Sequence, residues 1–219
     1  MANAIPMTRS EVAAFETTKT IRNAYLLLTM IMGVSAATAW YAISSNAGMI
    51  NIWVFLAFMI GMPFLIQMTR NSPLGLVMAF AYAGLLGYFL GPVVGVYLQM
   101  DPNIVVYALA STAVIFFALS GYALVSRVNF NFLAGFVFVG FLVLLGAGIA
   151  NIFLQMPLLS VVISAAAVLL ISAAILWETS QLIHDPDANY IVIATSLMAS
   201  IWVLFLHLMR LFSFFSGED

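Results

Sequence analysis

Charged residues are so sparse along this chain that their positions alone cut it into long apolar segments. No charge occurs in the 47 residues between Arg22 and Arg70, the 30 between Arg70 and Asp101, or the 25 between Asp101 and Arg127. The same is true of the 50 residues between Arg127 and Glu178 and the 22 between Asp187 and Arg210. A helix needs about 20 apolar residues to cross about 30 Å of hydrocarbon. The three shorter runs therefore hold one span each and the two longer runs hold two. The longer runs break at Ser44-Ser45-Asn46-Ala47-Gly48 and at Gln155-Met156-Pro157, both of turn-forming composition. The pattern predicts an all-α integral membrane protein with seven transmembrane helices, over residues 24–44, 49–68, 75–98, 104–126, 132–154, 158–183 and 190–214.

The remaining segments follow from this division. Residues 1–23 are expected to form a cytoplasmic N-terminal tail, able to lie on the membrane surface as an amphipathic helix. Residues 24–215 form the transmembrane domain, and residues 216–219 a short C-terminal tail. The loops are too short for a soluble catalytic domain. Ala37-Thr38-Ala39 has the form of a signal cleavage site, but the preceding polar stretch is long for a signal peptide and the apolar run is of spanning length. An uncleaved first span is expected. Arg9, Lys19, Arg22, Arg70 and Arg127 fall on one side, whereas the loops around Asn46, Asp101 and Gln155 carry no Lys or Arg. That bias predicts an N-in, C-out orientation. Arg210, near the outer end of helix 7, is not explained by it.

Within the spans, helix 3 carries Gly87-x-x-x-Gly91-x-x-x-Gly95, a small-residue stripe on which another membrane helix can sit closely. Pro92 lies in the stripe and removes a backbone donor, so a kink is expected there. On helix 6, Ser164, Ala167, Ile171, Ala174, Glu178 and Gln181 share one face at helical spacing. Helix 7 has a matching face in Ser196, Ser200, Val203, His207 and Arg210. Counting outward from the His184-Asp185-Pro186-Asp187 turn puts Glu178 and Ser200 at similar depth.

Composition sharpens the class and removes several functions. The chain is 65% apolar and 6% charged, against about a quarter charged in soluble domains, so its solvent is largely lipid. A net charge of −2 without a basic cluster excludes nucleic-acid binding. The absence of cysteine excludes disulfides, thiol catalysis and Cys-ligated metals. The single lysine, Lys19, precedes helix 1, which excludes a retinal Schiff base. Ala118-Leu119-Ser120-Gly121 lacks the first glycine of an intramembrane serine protease motif, although His207 exists. No enzymatic activity, cofactor or bound metal is expected; the Asp-Pro-Asp turn accounts for His184, Asp185 and Asp187 without a metal.

One charge stands apart. A carboxylate inside a span costs about 2.5–3.5 kcal/mol on insertion scales and marks a functional site by default, and Glu178 is such a carboxylate. Arg70, after helix 2 on the same side, is placed so that contact with Glu178 is geometrically allowed. The alternative is a carboxylate near a helix end reaching interfacial water. His207 and Arg210, three residues apart, either line an outer vestibule, or snorkel to the interface or satisfy neighbouring carbonyls.

Several stretches together are specific: Lys19-Thr20-Ile21-Arg22-Asn23-Ala24-Tyr25, Gly87-Tyr88-Phe89-Leu90-Gly91-Pro92, Ala150-Asn151-Ile152-Phe153-Leu154-Gln155, and Glu178-Thr179-Ser180 with Ile183-His184. In them the chain resembles the Bax inhibitor-1 (transmembrane Bax inhibitor motif) family over nearly its whole length, and within it the bacterial YccA-like branch of FtsH protease modulators. The resemblance implies that family's seven-helix architecture and a multi-pass location in the bacterial inner membrane. It implies two functional themes. One is binding and inhibition of an FtsH-type ATP-dependent membrane protease, engaged through the N-terminal tail. The other is a calcium or proton leak through the bundle, with Ca2+ or H+ as the transported ion. In that second theme two acidic residues on helices 6 and 7 pair, and an arginine after helix 2 engages one of them. Glu178 and Arg70 match two of these positions; the third falls at Ser200, which cannot ionise. Oligomeric state is not implied.

Overall fold

The computed structural model describes residues 9–217. Within them the chain folds into seven helices: α1 (Arg9–Ser44), α2 (Ile52–Thr69), α3 (Pro73–Met100), α4 (Pro102–Ser126), α5 (Leu133–Leu154), α6 (Pro157–His184) and α7 (Tyr190–Ser216). Six are long and apolar enough to cross a membrane, and α2 is a shorter apolar helix. Large apolar side chains face outward, among them Trp40, Phe117 and Phe153, each more than 70% exposed. In water such a surface would aggregate; in hydrocarbon it is the solvated face.

Short polar signals set the helix boundaries. Pro73, Pro102 and Pro157 each open a helix, where the missing N–H costs nothing. Asp101 closes α3 by donating its N–H to the Tyr97 carbonyl at 3.0 Å and opens α4 by accepting from the Asn103 N–H at 2.9 Å. One residue therefore makes the whole α3–α4 turn. Gln155, in the left-handed region at φ 51°, ends α5 two residues before α6 begins. Asn189 caps α7 by accepting from the N–H groups of Ile191 and Val192.

The boundaries lie close to those predicted, with one difference. α1 runs back to Arg9, so residues 9–23, expected in the tail, are helical and continuous with the first span. Residues 1–8 and 218–219 of the two expected tails lie outside the described residues. No side of the bundle is assigned to a compartment by the fold itself. The loops after α2, α4 and α6 do gather at one end: the Asn189 side chain donates to the Arg70 carbonyl at 3.0 Å, and the Phe130 N–H donates to Ser180 Oγ at 3.0 Å.

α7 is the central helix, packed against α1, α2, α3, α4 and α6. Its buried side includes Leu197, Met198, Leu204 and Met209, all fully enclosed. α1 seats on α3 at Gly87 and Gly91. A Cβ at Gly87 would overlap the Ser35 carbonyl and the Thr38 side chain, and one at Gly91 would lie 2.7 Å from the Ala39 carbonyl. The predicted stripe is thus used for two of its three glycines. Gly95 meets nothing within 4 Å, because Pro92 and Gly95 line a small pocket of about 360 Å³ at that end of the bundle. α3 passes through Pro92 as one continuous helix. α5 is the exception to close packing: its only neighbour among the described helices is α6, and none of its residues is buried.

Candidate functional site

The faces predicted on α6 and α7 meet. Ser164, Ala167, Ala174 and Glu178 are buried along α6, and Ser196, Ser200, Val203, His207 and Arg210 line a cleft along α7. The cleft has a volume of about 1140 Å³, with α6 and α7 as its floor and α2 and α5 as its walls. α2 and α5 do not touch, so the cleft opens sideways between them.

Glu178 is 7% exposed, on the floor. Ser200 Oγ lies 3.1 Å and 2.9 Å from its two carboxyl oxygens, and Ser196 Oγ also donates to Oε1. Ser196 and Ser200 are one turn apart on α7, so both hydroxyls aim at the same carboxyl. An ionised carboxylate accepts from both; a protonated carboxyl donates to one and accepts from the other. The site therefore accommodates either form with hydroxyl partners alone. Ser196 lay on the predicted face but was not among the candidate site residues. Its signal was its spacing of four from Ser200.

The contact between Glu178 and Arg70 that the sequence allowed is not formed among the described residues. Arg70 is the C-cap of α2, and its carbonyl is taken by Asn189 at the start of α7. Residue 70 therefore sits at the loop end of the bundle while Glu178 lies a turn and a half inside α6, and no ion pair joins them among the described residues. The helix-end alternative does not hold either, since the carboxyl is enclosed by α7 rather than directed to an interface.

His207 and Arg210 lie further along the same cleft. His207 Nδ1 is 3.2 Å from Ser164 Oγ, a contact that ties α7 to α6. Arg210 is exposed at the cleft mouth. Asn151 joins α5 to α6 by donating from Nδ2 to Ser160 Oγ at 2.6 Å. At the loop end, Asp185 Oδ1 accepts from the Asp187 N–H at 2.9 Å, as a turn built on Asp-Pro-Asp requires. Ser120 is engaged by Tyr25 from α1 and by Thr179 Oγ1 at 3.4 Å, which ties three helices together beside Glu178.

Fold and site together define a multi-pass α-helical membrane protein with a buried carboxyl gripped by hydroxyls from the neighbouring helix. The chain belongs to the Bax inhibitor-1 family, whose model, described as inhibitor of apoptosis-promoting Bax1, matches residues 17–217. It is 37% identical over 219 residues to the modulator of FtsH protease YccA of Escherichia coli K12, covering all of both chains. The same identity and coverage relate it to a protein of Escherichia coli O6:H1 named inner membrane protein YccA. It is also 40% identical over 207 residues to an uncharacterised protein of Pseudomonas aeruginosa, with 93% of each chain covered. The relatives that carry a descriptive name are called modulators or membrane proteins, not enzymes.

Proposed function

We propose that this chain is an inner-membrane protein that binds and modulates an FtsH-type ATP-dependent membrane protease, with its N-terminus on the cytoplasmic side. The observation that carries this reading is the end-to-end similarity to the Escherichia coli modulator of that protease. Similarity without large insertions or truncations favours a shared mode of action over a borrowed domain. The role is regulatory and not catalytic.

Physical features support the reading. α1 carries Arg9, Glu11, Glu16, Lys19 and Arg22 ahead of the apolar run that starts at Ala24, so this charged stretch is the part offered to a soluble ATPase at the membrane surface. α1 is keyed into the bundle at Gly87 and Gly91, and the Trp202 Nε1 donates to Ser35 Oγ at 2.9 Å. A force applied at the N-terminus therefore acts on a helix locked to α3 and α7, and a substrate that resists extraction occupies the protease that grips it.

Removal of residues 1–15 spares the apolar run of α1 from Ala24 onward and every later helix. The protease is expected to co-purify with the full chain and not with the shortened one, whose cellular half-life should change. Equal recovery of protease with both forms, together with equal half-lives, would overturn the proposal.

A further inference from the structure

We infer that the cleft between α2 and α5 binds one anionic glycerophospholipid, with its phosphate on Arg210 and an acyl chain along the α6–α7 floor. The cleft extends from Gln155, Arg210 and Ser213 at one end to Trp177 and Glu178 towards the other. From Ser160 to Glu178 its floor follows eighteen residues of α6, about 27 Å at the helical rise. Its walls are apolar, with Leu56 and Ile60 on α2 and Phe138 and Leu145 on α5. The polar groups on its floor are already engaged, Glu178 by Ser196 and Ser200 and His207 by Ser164, which leaves the space between the walls to an apolar occupant. The cleft opens sideways into hydrocarbon, and the molecule present there in excess is lipid.

Arg210 chooses the headgroup. Its side chain is exposed at the mouth of the cleft, and no carboxylate pairs with it among the described residues. It lies six residues before the end of α7 at Ser216, about 9 Å along the axis. From that depth an arginine reaches outward to phosphate level while its stem stays in the apolar zone. A guanidinium offers a planar fork that matches phosphate oxygens, and Gln155 and Ser213 line the same mouth. His207, bonded to Ser164, is already engaged. A zwitterionic headgroup would bring its own cation beside Arg210 with no carboxylate among the described residues to balance it. A headgroup of net negative charge does not.

The full chain, purified in detergent, is titrated with phosphatidylglycerol or phosphatidylcholine and the bound lipid is counted by native mass spectrometry. One phosphatidylglycerol is expected to bind about tenfold more tightly than phosphatidylcholine, the scale of one charge-assisted contact. Arg210→Gln should abolish the preference and Arg210→Lys should retain most of it. Gly148 lines the α5 wall, and a Cβ there meets nothing within 4 Å; Gly148→Phe should block the slot and weaken both lipids alike. Equal binding of the two lipids by the unaltered chain would overturn the inference, as would an unchanged preference in Arg210→Gln. A dimer that Gly148→Phe dissociates, without any lipid preference, would mean that a second copy covers the cleft. The first and last of these readouts do not depend on whether the Arg210 variant folds.

Discussion

Glu178 receives hydroxyl hydrogens from Ser196 and Ser200, and the cost of leaving a buried carboxyl without donors decides what each substitution does. Either serine alone can satisfy part of the group, so Ser196→Ala or Ser200→Ala should each lower stability by about 1–3 kcal/mol. The double variant should lose more than the sum, because the last donor is gone. Adding Glu178→Met to that background removes the need for donors altogether and should restore most of the loss. Thermal unfolding of the four proteins in one detergent checks the set. If the double variant equals the sum of the singles and Glu178→Met brings nothing back, the carboxyl is satisfied in some other way. Sequence spacing was enough to bring Glu178 and Ser200 to one depth, since both lie on helices leaving the same turn. It did not reveal that Arg70 would be tied through its backbone carbonyl to Asn189. A loop residue has no helical phase from which its direction can be read.

At the scale of the helix, the glycine stripe on α3 shows how far periodicity carries. A repeat of four marks Gly87, Gly91 and Gly95 as equivalent, yet α1 follows α3 only as far as Gly91 before the chain turns at Ser45 and Asn46. The equivalence in sequence therefore ends where the partner helix ends. Gly87→Ala should destabilise the bundle by forcing α1 away from α3, because the obstruction is backbone and cannot rotate aside. Gly95→Ala should be neutral or stabilising by up to about 1 kcal/mol, since alanine costs less conformational entropy in a helix and meets open space. Resistance to unfolding by a denaturing detergent would rank the two; a larger loss from Gly95→Ala would contradict the packing described. Pro73, Pro102, Pro157 and the Asp101 cap made their boundaries legible, because a proline in the first turn gives up no helical hydrogen bond, whereas Pro92 lies inside α3 and marks none. The backward extension of α1 to Arg9 was not legible. Its charged residues Arg9, Glu11, Glu16, Lys19 and Arg22 interrupt hydrophobicity without interrupting helical propensity.

For the molecule as a whole, the loops after α2, α4 and α6 share one end, and Arg70 and Arg127 share it with them. The loops at the opposite end, around Asn46, Asp101 and Gln155, carry no Lys or Arg. Retention of basic loops on the cytoplasmic side predicts that the end carrying Arg70 and Arg127 faces the cytoplasm. The chain has no cysteine, so a single introduced thiol reports its own position. Ser45→Cys in right-side-out spheroplasts should react with an impermeant maleimide, and Asn131→Cys should react only after permeabilisation. The reverse pattern would invert the topology and remove the cytoplasmic N-terminus on which engagement by an ATPase depends. Seven helices were countable from the gaps between charges. The isolation of α5 was not, because a helix apolar on every side gives no sign of which face has a neighbour.

That isolation has a mechanical consequence. Six helices are braced by contacts that set their separations, whereas among the described residues α5 touches α6 alone and nothing sets its distance from α2. No protein contact therefore fixes the area the molecule occupies in the plane of the bilayer on that side. Any such area does work against lateral tension, and an equilibrium between two areas shifts with the tension that distinguishes them. Were α5 to splay from α2, stretching the membrane would favour that form and compression the narrower one.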